Sequence, residues 1–498
     1  MARLRSSFAV LALLFTQTTY SIQVTFTDDQ SVIGAAKTIA DDLISYYVGN
    51  STAAVAAVLP YPPYFWWETG AMWGVMLDYW YATGDDTYNA QASVSIQAQV
   101  GEHQDFMPAD QAFDMGNDDQ AFWALTALTA AETNFQNPPE GDPSWLGLAQ
   151  AVYNEQIGRW DNSSCGGGIH WQVNPSGGFH LKNTISNGAL MQLAARLARY
   201  TQDDQYAQWA NKLWDWMWAV KLIDNENWSV YDNTDANLNC TSVDRAQWTY
   251  NAGTLLIASA TMYNYTNGDP TWKNRITHLL STLIFDFFPN GIMTELCEEP
   301  GKCDNDELTF KAYLSRWMAM TTQMAPFTAA TITPVLLSSA TAAMEQCSGT
   351  YFPDNCGLRW SQNATWDGSN GPGQQMAALE VLLSTIIKKQ AAPLTNSTGG
   401  TSASDPNAGF NGSAIDPGSI VTPATHGDKV GAWFLTVVFI MASVAGCYFL
   451  WSPSFELRGN LYNGAAGGSR GLFSSMNFGS SNKIEKSTIH MGGLMSSS

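Results

Sequence analysis

The sequence predicts an all-α domain of six helix hairpins, which can close into an (α/α)6 toroid. Apolar residues recur three and four positions apart in twelve segments between about residues 28 and 390, whereas strand signals are few. Three turns, at 81–88, 200–206 and 265–272, share an order of aromatic, polar and acidic residues. Such repeats are typical of stacked helix hairpins, which form an open solenoid or a closed ring. In a ring, the loops at one end of the inner helices line a central groove.

Polar residues and prolines mark the starts of the predicted helices. Acidic, hydroxyl and amide side chains accept hydrogen bonds from the first N–H groups of a helix, and proline suits its first turn. The twelve starts lie near Ser31, Glu68, Thr87, Asp118, Pro143, Asn183, Asp204, Asp244, Pro270, Asp306, Thr331 and Pro372. Segment 159–182 interrupts the pattern with two glycine-rich runs, and its alternation over 169–173 predicts a β-hairpin.

The two ends of the chain differ in composition from the helical part. Residues 1–21 have two arginines and an apolar run, which predicts a secretory signal peptide. The helical domain follows at 22–390, and a Ser/Thr/Pro/Gly-rich segment at 391–429 predicts a flexible, O-glycosylated stalk. Residues 430–451 are apolar and uncharged, which predicts a single C-terminal transmembrane helix, and 452–498 predict a disordered cytoplasmic tail.

Sequons and cysteines place the helical domain in the lumen of the secretory pathway or outside the cell. Eight Asn-x-Ser/Thr sequons precede the apolar run and none follows it: Asn50, Asn162, Asn227, Asn239, Asn264, Asn363, Asn396 and Asn411. Six cysteines precede the run as well, which suits three disulfides. Short separations favour Cys297–Cys303 and Cys347–Cys356, leaving Cys165–Cys240, although six cysteines permit fifteen pairings.

The net charge of −21 disfavours nucleic acids and anionic lipids as partners. A neutral or cationic ligand fits better. The histidines and cysteines lack metal-ligand spacing, and no glycine-rich phosphate loop is present in the sequence, so we expect neither a metal nor another cofactor.

The adjacent carboxylates Asp118 and Asp119 are the strongest catalytic candidates. Other acidic pairs, at 85–86 and 203–204, lie in the repeated turns, where they have a structural role as helix caps. The pair at 118–119 instead opens a helix rich in bulky apolar residues. Two carboxylates suffice for glycoside hydrolysis, one as nucleophile or base and one as acid. At a helix start, the dipole would keep one ionised while like-charge repulsion raises the pKa of the other.

Aromatic residues make up 12% of the chain, and most of them are expected in the core. Tyr64, Phe65, Trp66 and Trp171 lie in loops and are better candidates for stacking on sugar rings.

Six ordered motifs between residues 31 and 388 resemble glycoside hydrolase family 76, the α-1,6-mannanases, and in particular its fungal cell-wall branch. They are Tyr64–Gly74, Asn117–Trp123, Cys165–Gln172, Lys182–Ala189, Tyr250–Gly253 and Phe310–Trp317. The resemblance implies an (α/α)6 toroid and a retaining, endo-acting α-1,6-mannosidase, with Asp118 as nucleophile and Asp119 as acid/base. It also implies a substrate groove that includes Glu68, Trp67, Trp171, Asn183, Tyr250, Asn251 and Lys311.

The fungal branch further implies a substrate and a location. It is thought to act on α-1,6-linked mannan or on the mannose core of glycolipid anchors, with wall glucan as an acceptor, which makes transglycosylation an alternative to hydrolysis. Its members often end in an anchor-attachment signal, but here 47 residues follow Trp451, so a membrane helix is the direct interpretation. Two alternatives stay open: a catalytically silent carbohydrate-binding wall protein, and a structural membrane glycoprotein.

Overall fold

The computed structural model describes residues 21–47, 58–175, 177–349, 354–362, 366–409 and 426–451. The chain divides into two units, 1–421 and 422–498. The predicted signal peptide, the predicted cytoplasmic tail and three sequons, at Asn50, Asn363 and Asn411, lie outside the described residues.

Six inner helices form a closed ring, as predicted. They are α2 (Trp66–Thr83), α4 (Asn117–Glu132), α6 (Thr184–Thr201), α8 (Thr249–Tyr265), α10 (Phe310–Met324) and α12 (Pro372–Ser384). Each packs against the next, and α12 packs against α2 to close the ring. Six outer helices surround them: α1 (Asp29–Ser45), α3 (Asn89–Gln97), α5 (Trp145–Gly158), α7 (Asp204–Ala219), α9 (Pro270–Phe287) and α11 (Ala329–Glu345). All twelve begin within five residues of their predicted starts.

The inner helices are buried on nearly every side because neighbours enclose them. Nearly every residue of α4 and α6 is buried, whereas α7 buries one stripe and exposes the other face. Glycines permit the closest contacts. A Cβ atom at Gly70 of α2 would lie 2.8 Å from the Trp123 ring of α4, and one at Gly253 of α8 would lie 2.9 Å from Trp317 of α10. Larger residues there would push the ring apart.

Acidic side chains cap the outer helices α1, α7 and α9, which confirms a capping role for the pair at 203–204. The pair at 85–86 has a different structural role, because α3 has no side-chain cap and Asp85 stabilises the turn before it. Asp203 precedes α7, and its Oδ1 accepts from the N–H of Gln205 at 2.9 Å. Asp85 accepts from the N–H of Thr87 and from the Tyr79 hydroxyl, at 3.1 Å and 2.7 Å. Both carboxylates therefore serve local folding.

A three-stranded antiparallel sheet lies at the end of the ring where the inner helices begin. It comprises β1 (Leu181–Asn183), β2 (Asn233–Asp235) and β3 (Val243–Asp244), in the order β1-β2-β3. The hairpin predicted around 169–173 is wrong for the described part of that segment. Its backbone is bonded elsewhere: the Ile169 N–H donates to the Asn187 side chain, and the Trp171 N–H donates to the Leu181 carbonyl. β1 pairs with β2 from a distant loop instead.

The described part of the predicted stalk, residues 391–409, packs on the helical domain, so the domain boundary predicted at 390 is too early. We call this segment the strap. It begins at the end of the ring where the inner helices finish: Arg199 donates to the Pro393 carbonyl at 2.7 Å, and the Leu394 N–H donates to the Glu132 carbonyl at 2.7 Å. Its polar composition suggested disorder, but polar side chains of the domain satisfy its backbone.

The strap then follows the outer helix α5 towards the opposite end of the domain. The Leu146 N–H donates to the Ser402 hydroxyl at 2.9 Å, and the Asn154 side chain donates to the Ala408 carbonyl at 2.9 Å. Eight residues of helix separate Leu146 from Asn154, or roughly 12 Å at 1.5 Å per residue. The strap is thus an integral layer of the domain.

Helix α13 (His426–Trp451) contains the predicted transmembrane segment, whose role in a membrane stays a prediction. Its described apolar stretch runs from Trp433 to Tyr448, and its large side chains are exposed. In the part of the chain that is described, only Pro326–Glu345 is long and apolar enough to cross a membrane, and 44% of that stretch is buried inside the domain. It includes the outer helix α11, which buries one face in the domain.

The three favoured disulfides are confirmed: Cys165–Cys240, Cys297–Cys303 and Cys347–Cys356. Cys447 in α13 is free and exposed. Five described sequons have exposed asparagines, which leaves room for glycans, although their glycosylation stays a prediction: Asn162, Asn227, Asn239, Asn264 and Asn396.

Candidate active site

An open cleft lies at the end of the ring where the inner helices begin. Its lining comes from the first turns of α2, α4, α8 and α10 and from the small sheet. The lining residues are Trp67, Asp118, Asp119, Phe122, Trp171, Leu181, Asn183, Asp232, Asn233, Tyr250, Asp306 and Phe310. This is the position that the closed ring predicts for a groove.

Asp118 and Asp119 occupy the first turn of α4, as predicted. The Asp119 carboxylate folds back and accepts from the N–H of Gly116 at 2.7 Å, so it also caps the helix. The Asp118 carboxylate accepts from the Asn183 side chain at 3.3 Å and from the N–H of Asp119 at 3.2 Å. The two carboxylates therefore have different surroundings, although they are adjacent in sequence.

Burial dominates the electrostatics of this pair. It raises the pKa of Asp118 to about 7, against the opposing effect of the Asn183 hydrogen bond. Burial also raises the pKa of Asp119 well above its ordinary value, and the charge of Asp118 raises it further. The Asn183 hydrogen bond favours an ionised Asp118, whose charge in turn favours a protonated Asp119, so the two groups titrate as one coupled pair. The sequence argument expected like-charge repulsion to be the main cause, whereas burial contributes more.

Four further residues expected in a groove do line the cleft. Asn183 bonds Asp118, and the ring of Tyr250 stacks on Phe310 at 3.7 Å. Trp67 donates from Nε1 to Asp306 Oδ1 at 3.1 Å. Trp171 also lines the cleft and is held through its carbonyl, which accepts from the Asn117 N–H at 2.7 Å. The aromatic rings provide apolar faces on which sugar rings stack.

Three other residues expected in the groove are absent from the lining of the described cleft, and their contact with substrate stays a prediction. Glu68 is 1% exposed and caps α2 through the N–H of Phe65, while Asn251 is fully buried and donates to Asp232 at 2.9 Å. Lys311 is also fully buried, 2.9 Å from Glu298. Each lies in the first turn of an inner helix, as the groove residues do, but on the side that faces neighbouring protein.

Two acidic residues of the cleft are missing from the sequence-based set. Asp232 precedes β2, and burial raises its pKa. Asp306 lies before α10, and burial raises its pKa to about 6. In the sequence, Asp306 matches an ordinary helix start and Asp232 lies in an irregular loop, so neither is distinguishable as a groove residue. The described lining thus has four carboxyl groups and no Lys, Arg or His.

Two unlike carboxyl groups in an aromatic cleft are the side chains that glycoside hydrolysis requires. The sequence agrees with such an enzyme: the family model of glycosyl hydrolase family 76 matches residues 31–397. The chain is therefore a member of glycosyl hydrolase family 76.

Named relatives agree with this assignment. The chain is 43% identical to the mannan endo-1,6-alpha-mannosidase DCW1 of Saccharomyces cerevisiae, over 89% of this chain and 98% of that protein. It is 36% identical to the mannan endo-1,6-alpha-mannosidase DFG5 of the same yeast, over 90% and 98%.

Solved structures share the fold. Dfg5 from Chaetomium thermophilum, in complex with glucosamine, is 42% identical, with a TM-score of 0.74 over 78% of this chain and 97% of that one. An inactive variant of the α-1,6-mannanase GH76A of Salegentibacter sp., bound to α-1,6-mannotriose, is 18% identical, with a TM-score of 0.57 over 71% and 99%.

Proposed function

We propose that this enzyme is a retaining, endo-acting α-1,6-mannosidase of the fungal cell wall, with Asp118 as nucleophile and Asp119 as acid/base. The observation that carries the proposal is the unequal environment of the two carboxyl groups in one cleft. The Asn183 hydrogen bond favours the ionised Asp118 that a nucleophile requires, and the Asp118 charge favours the protonated Asp119 that a general acid requires.

The reaction follows from these roles. Asp119 protonates the glycosidic oxygen while the Asp118 carboxylate attacks the anomeric carbon of mannose, so the C–O bond to the leaving sugar breaks as a mannosyl ester forms. Asp119, now ionised, takes a proton from water or from an acceptor hydroxyl, which attacks the anomeric carbon and releases Asp118. Water gives hydrolysis, and a sugar hydroxyl gives transglycosylation.

The substrate is a chain of α-1,6-linked mannose, as mannan or as the core of a glycolipid anchor. The names of the yeast relatives support mannan. The relative solved with glucosamine supports the glycolipid anchor, whose core has a free amino sugar beside its mannoses. Four carboxyl groups in the described lining favour such a cationic sugar. Wall glucan is the acceptor in the transfer reaction.

Substitution of the two carboxylates tests the proposal. Asp118→Asn and Asp119→Asn should each lower turnover of α-1,6-mannan by about 10²–10⁴-fold, because each removes one protonation role while conserving shape. Asp203→Asn is the matched control, since it removes a capping carboxylate remote from the cleft. If the wild-type ectodomain binds mannan without cleaving it, the protein is a silent binder instead. Equal losses in all three variants would also refute the assignment.

Product analysis separates transfer from hydrolysis. The ectodomain is incubated with a glycolipid-anchor glycan, with and without a β-glucan oligosaccharide, and products are resolved by mass spectrometry. We expect a mannose-linked glucan product of retained α configuration. Free reducing mannosides alone, at every acceptor concentration, would restrict the enzyme to hydrolysis.

The same proposal places the catalytic domain outside the cell or in the secretory lumen, held at the plasma membrane or an endomembrane by α13. A tag added after Ser498 tests this. If residues 430–451 span the bilayer, the mature protein keeps the tag and resists a phospholipase that cleaves glycolipid anchors. Loss of the tag with phospholipase sensitivity would identify a processed anchor signal.

A further inference from the structure

The residue that precedes the catalytic pair, Asn117, is buried and fully hydrogen-bonded. It is 1% exposed. Its N–H donates to the Trp171 carbonyl at 2.7 Å, and its side-chain NH₂ donates to the His170 carbonyl at 2.9 Å. Its carbonyl accepts from Gln156 at 2.6 Å, and its side-chain oxygen accepts from Arg159 at 2.8 Å. Asn117 therefore joins the first turn of α4 to the loop carrying Trp171 and to the end of α5.

Arg159 fixes the catalytic turn from both sides. It immediately follows α5, and its Nη1 donates to Asn117 Oδ1 and to Gln120 Oε1, at 2.8 Å and 2.7 Å. Its Nη2 donates to Glu155 at 2.9 Å, and Gln120 donates to the same carboxylate oxygen at 2.8 Å. Asn117 and Gln120 flank Asp118 and Asp119 in the sequence, so one guanidinium holds the residues on each side of the pair.

None of the bonded residues, which are Asn117, Gln120, Glu155, Gln156 and Arg159, belongs to the described lining of the cleft. Direct contact with a sugar in the cleft is therefore not their role. What these residues control is the position of the backbone that carries both carboxylates.

We infer that Arg159 is a positioning residue: through Asn117 and Gln120 it sets the geometry of Asp118 and Asp119, and through Asn117 it sets that of Trp171. This inference rests on the proposed function for its kinetic test. A displacement of about 1 Å at reacting groups costs on the order of 10²-fold in rate, so a guanidinium that bonds both flanks of the pair has a direct route to kcat.

The matched control lies at the opposite end of the same helix. Arg196 is a buried arginine whose Nη2 donates to Glu132 and to Thr129 of α4, at 2.7 Å and 3.0 Å. Arg159→Lys and Arg196→Lys therefore make the same chemical change to two buried arginines that bond α4, one beside the carboxylates and one at the far end. Any general loss of stability is common to both.

The test compares kcat, KM and melting temperature for the two lysine variants on α-1,6-mannan. We expect Arg159→Lys to lower kcat by about 10- to 100-fold with little change in KM, and Arg196→Lys to keep kcat within about twofold at a similar melting temperature. Equal effects on kcat in the two variants would overturn the inference.

A second variant guards against simple unfolding. Arg159→Gln alone leaves Glu155 buried without its cation, whereas Arg159→Gln/Glu155→Gln removes both charges. The double variant should recover melting temperature but not kcat. Recovery of kcat together with stability would mean that Arg159 has only a structural role.

Hydrogen exchange supplies a readout that needs no substrate. Amides of residues 115–123 should exchange faster in Arg159→Lys than in Arg196→Lys or the wild type, because the first turn of α4 has lost its anchors. If the wild type does not cleave mannan, the proposed function fails, and this measurement still decides whether Arg159 holds the turn. Unchanged exchange would refute it.

Discussion

At the residue scale, the proposed catalytic pair shows how neighbouring groups can give two identical buried side chains different chemistry. Burial raises the pKa of both Asp118 and Asp119, but Asp118 has a hydrogen bond from Asn183 that favours its ionised form, while Asp119 faces the Asp118 charge. Asp306, which shares the cleft, raises the pKa of both. A third carboxylate thereby influences when the pair is active.

Substituting Asp306 should move the pH profile. In Asp306→Asn the Trp67 hydrogen bond can persist while the charge is lost, so the pKa values of Asp118 and Asp119 should both fall. Because the active form requires one ionised and one protonated carboxyl group, both limbs of the kcat/KM profile should shift to lower pH. The profile on α-1,6-mannan measures this. Asp215→Asn, on the outer helix α7, makes the same charge change and should leave both limbs of the pH profile in place. If this variant also shifted the profile, the cause would be the net charge of the protein and not the position of Asp306.

At the element scale, the start of α4 depends on the small size of Gly116. Its φ of −81° is ordinary for any residue, so the glycine is not required for backbone conformation. Space is the constraint: a Cβ atom there would lie 2.2 Å from Asp118 Oδ1 and 3.1 Å from Trp171 Nε1. Glycine therefore lets the catalytic turn pass close to the Trp171 loop.

Gly116→Ala should reduce activity more than stability. The added methyl group must displace the Asp118 carboxylate or the Trp171 ring, and we expect kcat/KM to fall by at least about 10-fold, on the scale of small displacements at reacting groups. Gly158→Ala at the end of α5 is the control, because its Cβ meets nothing within 4 Å. The kcat/KM values and melting temperatures of both variants measure the effect on activity and on stability. Full activity in Gly116→Ala would show that the cleft can relax around the methyl group.

The strap should contribute to stability as a packed element. Ending the ectodomain at residue 390 instead of 409 removes the hydrogen bonds that the strap makes to α4, α5 and α6. At about 1 kcal/mol for each bond, less the entropy of ordering the segment, the free energy of unfolding should fall by about 2–4 kcal/mol. Denaturant unfolding measures this. A third form, with 391–409 replaced by Gly/Ser sequence of equal length, should resemble the truncated one; wild-type stability in it would mean that the strap contacts contribute nothing.

At the scale of the whole molecule, many carboxyl groups are buried in a chain of net charge −21. Burial raises the pKa of Glu68 and of Glu295 to about 8, and that of Asp42 to about 6. In contrast, hydrogen bonds from Thr87 and Tyr79 lower the pKa of Asp85 below its ordinary value. More carboxyl groups have a pKa raised by burial than have one lowered by hydrogen bonds, and the raised values are the ones that lie between pH 5 and pH 8.

The domain should therefore be more stable at pH 5 than at pH 8. A carboxyl group whose pKa is raised by folding binds more protons in the folded state, so stability falls as pH rises from its ordinary pKa to its folded one. Melting temperatures across pH 5–8 test this. Glu68→Gln should lessen the decline, because the amide oxygen can still accept from the Phe65 N–H without a buried charge. Melting temperatures that rise towards pH 8 would contradict the argument.

The sequence alone located the helices and distinguished Asp118 and Asp119 as the candidate catalytic pair. Apolar spacing located all twelve helices of the domain, because an inner or outer helix must bury apolar residues at helical intervals. The adjacent Asp118 and Asp119 were recognisable because they differed from the capping pairs around them. Short cysteine separations also favoured two of the three disulfides that form, and the remaining two cysteines form the third.

Only the tertiary structure decided which first-turn residues face the cleft. Glu68, Asn251 and Lys311 lie beside groove residues in the sequence but point into neighbouring protein, since a rotation of 100° per residue separates adjacent side chains on a helix. Asp232 enters the cleft from a loop, and Asp306 enters it from the segment before α10. These two segments converge only when the ring closes. The strap is the same case: its polar composition predicts disorder, but the partners that satisfy its backbone are distant in sequence and meet it only in the folded domain.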